Sequence, residues 1–149
     1  MKIPKQEYFE RIAKFQANMK KAGLDACLVH GTESDFANVR YLSEYWPTFE
    51  QAGVFVPAEG DAVLLIGPES YKYAVGRSVL SKIALMLNYR ESAEPDYPGI
   101  PLATYPEVVK MSGMGSLKKL GRVGTAVMTK PTLDAVAAQL PGVEVVVAD

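Results

Sequence analysis

The chain of 149 residues has one cysteine, Cys27, and one histidine, His30. A lone cysteine excludes an intrachain disulfide and any multi-cysteine zinc site, and it fits a reducing compartment. A lone histidine limits the chemistry further. A catalytic zinc centre wants two or three nitrogen or sulfur ligands beside an open position, and a Ser-His-Asp or Cys-His arrangement would have to be built on His30. A self-contained hydrolase is therefore not expected. Charge of one sign is also missing: 16 Lys and Arg stand against 17 Asp and Glu. That balance argues against a chain made for nucleic acid or an anionic membrane. No apolar run approaches the roughly 18–20 residues of a membrane helix. The N-terminal MKIPKQEYFERIAK carries charges where a secretory signal needs an apolar stretch. The expected location is the cytoplasm.

What is present is a steady alternation of helix and strand patterns. Tyr8, Ile12, Phe15 and Met19 recur at helical spacing over Lys5 to Ala22, with Pro4 before and Gly23 after. Asp25 to His30 reads as a buried strand. Ser34 is placed to cap a short helix from Asp35 to about Leu42. GVFVP (53–57) and AVLLIG (62–67), separated by AEGD, read as a hairpin. Pro68 opens a helix expected to reach about Ser81 with Tyr71, Val75 and Val79 on one face. A strand follows at Ile83–Leu87, then a Pro-rich loop over 91–101. Thr104 and Glu107 match a capping box ahead of a helix to about Lys119. Arg122–Val127 reads as a strand, residues 129–140 as a helix and 143–147 as the last strand. This order predicts an α/β fold: three layers, with a mostly parallel mixed sheet of about six strands, one antiparallel pairing at the hairpin, and helices on both faces. No linker divides residues 1–149, so one domain is expected.

Few residues offer chemistry. His30 ends a strand, where α/β folds often place ligand-binding groups, but a base needs a positioned partner and the structural role is the stronger reading. Cys27 alternates with Leu28 and Val29 and reads as a small buried hydrophobe. SGMGSLKKLG (112–121) fails both the Walker and the dinucleotide patterns and reads as a weak helix end with solvated lysines. Asp25, Glu33, Asp35, Glu44, Glu50, Asp61, Glu69 and Asp96 are scattered, without the convergence a two-metal site needs. The unusual feature is the loop from Glu44 to Gln51, where Tyr45, Trp46 and Phe49 crowd beside Pro47 with Glu50 adjacent. Either these aromatics seal one end of the core, or they present a recognition surface for a substrate or a partner domain.

NVRYLSEY (38–45) resembles a segment of the N-terminal domain of the creatinase, prolidase and aminopeptidase P family, Asn-(Ile/Val)-x-Tyr-Leu-(Thr/Ser)-Gly-aromatic. The flanking GLDACLV (23–29), the hairpin GVFVPAEGDAVLLIGPES (53–70) and the closing LPGVEVVVAD (140–149) are similar to the family as well. The resemblance implies a creatinase/prolidase N-terminal fold with a ribonuclease H-like motif. Asn38, Tyr41 and Leu42 become its structural motif, and Tyr45, Trp46, Phe49 and Glu50 the candidates for a substrate rim or domain interface. It implies no catalytic residue, metal or cofactor in this chain. Two divalent metal ions (manganese, cobalt or zinc) would belong to a following "pita-bread" catalytic domain, which nothing in this chain matches. The implied partners are that domain and a second subunit, not nucleic acid or membrane.

Two departures bear on substrate. Glu44 stands where the family usually has Gly. In creatinase-like members an aromatic and an Arg follow the motif and contact substrate, whereas here Phe49 is followed by Glu50 and Gln51. The leading expectation is a non-catalytic domain of an Xaa-Pro dipeptidase or aminopeptidase. The alternatives are the same domain of a creatinase-like C–N hydrolase, or a stand-alone binding or scaffolding module. A nucleotide site at the strand ends has no phosphate-binding sequence behind it.

Overall fold

A computed structural model of the chain describes residues 2–91 and 97–149. Its helices are α1 (Lys5–Lys21), α2 (Ala37–Ser43), α3 (Tyr71–Arg77), α4 (Tyr105–Ser112) and α5 (Lys130–Gln139). Its strands are β1 (Ala26–Thr32), β2 (Gln51–Pro57), β3 (Val63–Ile66), β4 (Ile83–Leu85), β5 (Lys119–Val123) and β6 (Glu144–Val147). They form one sheet in the order β4-β3-β2-β1-β5-β6. β2 runs antiparallel to both β1 and β3, while β1–β5, β5–β6 and β3–β4 are parallel pairs. The mixed, mostly parallel α/β sheet expected from the sequence is observed, but with two antiparallel pairings, because β2 enters antiparallel to β1 as well as to its hairpin partner β3.

Strand alternation explains the three layers. Cys27, Val29, Val54, Val56, Leu64 and Ile66 face a core shared with Tyr8, Ile12 and Met19 of α1, Val39 and Leu42 of α2, and Ala74 of α3. Leu28, Phe55, Val63, Leu65 and Leu120 face the opposite core, under Tyr105 and Val108 of α4 and Val136 of α5. A sheet covered on both faces must be apolar at odd and even positions alike. That is why these strands read as continuous apolar runs. Asp25 ties the sheet together at its amino-terminal end: its Oδ2 accepts from the Lys118 N–H at 2.9 Å and the Lys119 N–H at 2.8 Å.

Several boundaries differ from expectation. α2 starts at Ala37 without a side-chain cap; the Ser34 hydroxyl bonds the Thr32 hydroxyl at 3.1 Å instead. Residues 68–70 form a separate 3-10 turn before α3, which stops at Arg77. Within α3 the buried residue is Ala74, while Tyr71 and Val75 are exposed. α4 keeps its capping box between Thr104 and Glu107 but ends at Ser112, because Gly113 takes the left-handed conformation. β5 accordingly begins at Lys119, and residues 125–127 form a 3-10 turn rather than strand. Lys119, read as solvated, is half-buried and pairs with Glu144 at 3.5 Å. Of the Pro-rich loop at 91–101, residues 92–96 lie outside the described residues.

Candidate functional site

The aromatic loop grows out of the end of α2. Glu44 terminates that helix in the left-handed region, with φ of 62°. The Ser43 hydroxyl donates to the Val39 carbonyl at 2.7 Å and accepts the Tyr45 N–H at 3.1 Å, which turns the chain inward. Tyr45 is fully buried and packs edge-on against Tyr73, centroids 5.5 Å apart. Its phenol donates to Glu50 Oε1 at 2.7 Å. The Ser70 hydroxyl donates to the same oxygen at 3.0 Å, and the Phe49 N–H donates to Oε2 at 3.2 Å. Burial first, and the bond to Glu50 second, push the Tyr45 phenol well above its usual pKa. It is therefore a permanent donor.

Glu50 thus faces inward as an anchor, and the four loop candidates divide. Tyr45 and Glu50 are buried and brace the loop. Trp46 is half-buried on the outer side, 6.3 Å from the Phe36 ring. Phe49 is 72% exposed. The motif residues divide too: Leu42 is in the core, Asn38 is exposed, and Tyr41 is exposed with its ring 4.5 Å from the Arg11 guanidinium. Beside Phe49 lies a pocket of about 420 Å³ lined also by Thr32, Ser34, Gln51 and Arg90. The sheet therefore brings Arg90, from the far side of β4, to the loop whose own sequence lacks an arginine. Only the tertiary pairing of distant segments does this, so no local signal announced it.

The two sulfur and imidazole candidates sit inside the sheet. Cys27 is buried, and desolvation pushes its thiol up to about 11. His30 lies opposite Gly53 of β2, is 1% exposed and approaches the Tyr89 ring to 5.8 Å. Gly53 is required there, since a Cβ would lie 2.8 Å from the Tyr89 hydroxyl. Burial pulls the His30 pKa down to about 4, against a smaller opposing pull from Gln51. The ring is neutral at pH 7, and among the described residues neither of its nitrogens has a well-formed hydrogen-bond partner. Among the described residues no group of three or more His, Cys, Asp or Glu is placed to hold a metal ion. A walled-in, neutral imidazole and an un-ionised thiol do not fit a two-metal centre.

A six-stranded mixed sheet clad by helices, with an internally braced aromatic loop at the end of α2, defines a domain of the α/β class. The chain belongs to the Creatinase/Prolidase N-terminal domain family, whose sequence profile matches residues 11–149. No curated protein matches it by sequence. Among solved structures, the N-terminal domain of the cytoplasmic peptidase PepQ from Mycobacterium tuberculosis is 26% identical, with a TM-score of 0.66 over 94% of this chain and 93% of that one. The Creatinase/Prolidase N-terminal domain of an X-Pro dipeptidase from Streptococcus pyogenes is 10% identical, with a TM-score of 0.65 over 93% of this chain and 99% of that one. The prolidase from Pyrococcus horikoshii is 18% identical with a TM-score of 0.64; 94% of this chain is covered but only 33% of the prolidase. The chain thus spans about a third of the length of that enzyme.

Proposed function

We propose that this chain is the non-catalytic N-terminal domain of an Xaa-Pro dipeptidase or aminopeptidase, working as one unit over residues 1–149 beside a catalytic domain encoded after it. The reading rests on Phe49: a large apolar side chain, 72% exposed, on a loop held rigid by the buried Glu50 carboxylate. Ordering a loop and exposing an aromatic on it are both costly unless the ring is covered in the working assembly. In this reading Phe49, with Trp46 beside it, forms the rim that meets the substrate entrance or a neighbouring subunit, and Tyr45 and Glu50 set its height. Asn38, Tyr41 and Leu42 shape the helix that launches the loop.

The domain then supplies position and excludes long substrates, while the two divalent metal ions, manganese, cobalt or zinc, belong to the catalytic domain. A homodimer would place the rim of one subunit beside the active site of the other. The cytoplasm is the proposed location; the PepQ relative is a cytoplasmic peptidase, and among the described residues no helix is long and apolar enough to cross a membrane. The gene beyond codon 149 tests the reading. An open frame carrying five acidic and histidine metal ligands supports it, loss of those ligands points to a creatinase-like C–N hydrolase, and a stop codon directly after Asp149 overturns it in favour of a stand-alone module.

A further inference from the structure

Two arginines far apart in sequence converge on the chain's one tryptophan. The Cζ of Arg40, on α2, lies 4.4 Å from the Trp46 ring centroid, and that of Arg77, in the last turn of α3, lies 4.1 Å from it. Both side chains are exposed, and no carboxylate of the described residues forms an ion pair with either. Arg11 is different: it donates to Glu7 and to the Tyr41 carbonyl. Two like charges against one indole repel each other, and an anion received beside them offsets that penalty by accepting from the guanidinium N–H groups.

The surroundings narrow the class of anion. A pocket of about 440 Å³ opens beside Arg77, with Lys2 and Lys5 on its wall and Glu44 its one carboxylate. Ile3 and Val75 add exposed apolar surface to the same pocket. Cations interleaved with apolar side chains suit a carboxylate carried next to an apolar side chain, not a bare inorganic ion, whose hydration those side chains would strip without return. The carboxylate of Glu44 and the balanced net charge of −1 disfavour a polyanion such as nucleic acid.

The geometry points to an acidic, partly apolar peptide segment of a partner polypeptide as the ligand of the Arg40–Trp46–Arg77 surface. This deepens the interface reading above, on which it rests only for the existence of a polypeptide partner; it needs no peptidase activity.

Trp46 is the chain's single tryptophan, so its emission reports on the site alone. The experiment titrates the 149-residue chain with a synthetic peptide of alternating glutamate and leucine, with the glutamine–leucine peptide and inorganic phosphate as separate arms. The expected result is a saturable change with the acidic peptide, weakened by added salt and weakened at least about tenfold in the Arg40→Gln/Arg77→Gln double variant. Lys118→Gln, an exposed charge remote from the site in the fold, leaves it unchanged. No saturable change, an equal response to the glutamine peptide, full reproduction by phosphate at the same concentration, or undiminished binding by the double variant each overturns the proposal. These outcomes are independent of the gene sequence beyond codon 149, so either reading can fail without the other.

Discussion

Tyr45 and Glu50, five residues apart, close the aromatic loop from inside through a 2.7 Å hydrogen bond between two buried groups. A bond to a charged acceptor contributes about 1.5–3 kcal/mol. Tyr45→Phe, which removes only the donor, is expected to lower the unfolding free energy by about that amount. Urea denaturation of the two proteins measures it, and a difference near zero would mean the loop is braced by packing alone.

His30 makes stability depend on pH. Its pKa is lowered from 6.5 to about 4 in the folded chain, so the unfolded chain binds the extra proton between those values. Stability is complete above the unfolded pKa and falls as pH drops through the window from about 6.5 to 4, by about 3 kcal/mol at most. Carboxylates titrate nearby, so the informative quantity is the difference between the parent and His30→Gln. The variant's stability should decline less between pH 7 and pH 4, and identical slopes would contradict the assignment.

Glu44 stands at a left-handed position, φ 62°, a conformation uncommon for a residue other than glycine. A side chain with a Cβ is strained there, and glycine is not, although glycine loses more entropy on folding. The Glu44→Gly variant is expected to be more stable by about 0.5–1 kcal/mol. A thermal melt checks the sign: a lower Tm would show that the Glu44 side chain makes a contribution larger than the backbone strain.

Cys27 is buried and its thiol is pushed up to about 11. The thiolate is the reactive form, and little of it exists at pH 8. Ellman's reagent at that pH should leave the native chain unmodified and label one thiol per chain in urea. Rapid labelling of the native chain would mean that the sheet opens readily at β1.

Much of the fold could be read from residues 24–66 because the sheet is covered on both sides, and apolar side chains at consecutive positions leave a strand little alternative. The β2–β3 hairpin and the Thr104–Glu107 capping box were equally legible, since both are local. Failures came where distant contacts decide. The start of β5 is set by Asp25, which receives the Lys118 and Lys119 N–H groups from more than ninety residues away. In α3, Tyr71, Val75 and Ala74 give competing apolar faces, and only docking onto the sheet selects Ala74. For the candidate site, the crowding of aromatics marked the loop, but whether each ring turned inward or outward depended on Ser70 and Tyr73 from another segment. Arg77 reaches Trp46 by the same route and left no trace in the local sequence.

The central claim, that this domain positions rather than catalyses, is tested most directly by incubating the purified 149-residue chain with an Xaa-Pro dipeptide and manganese or cobalt and following release of free proline. The account predicts a rate indistinguishable from the metal blank. Sustained turnover that scales with protein concentration and survives further purification would contradict it.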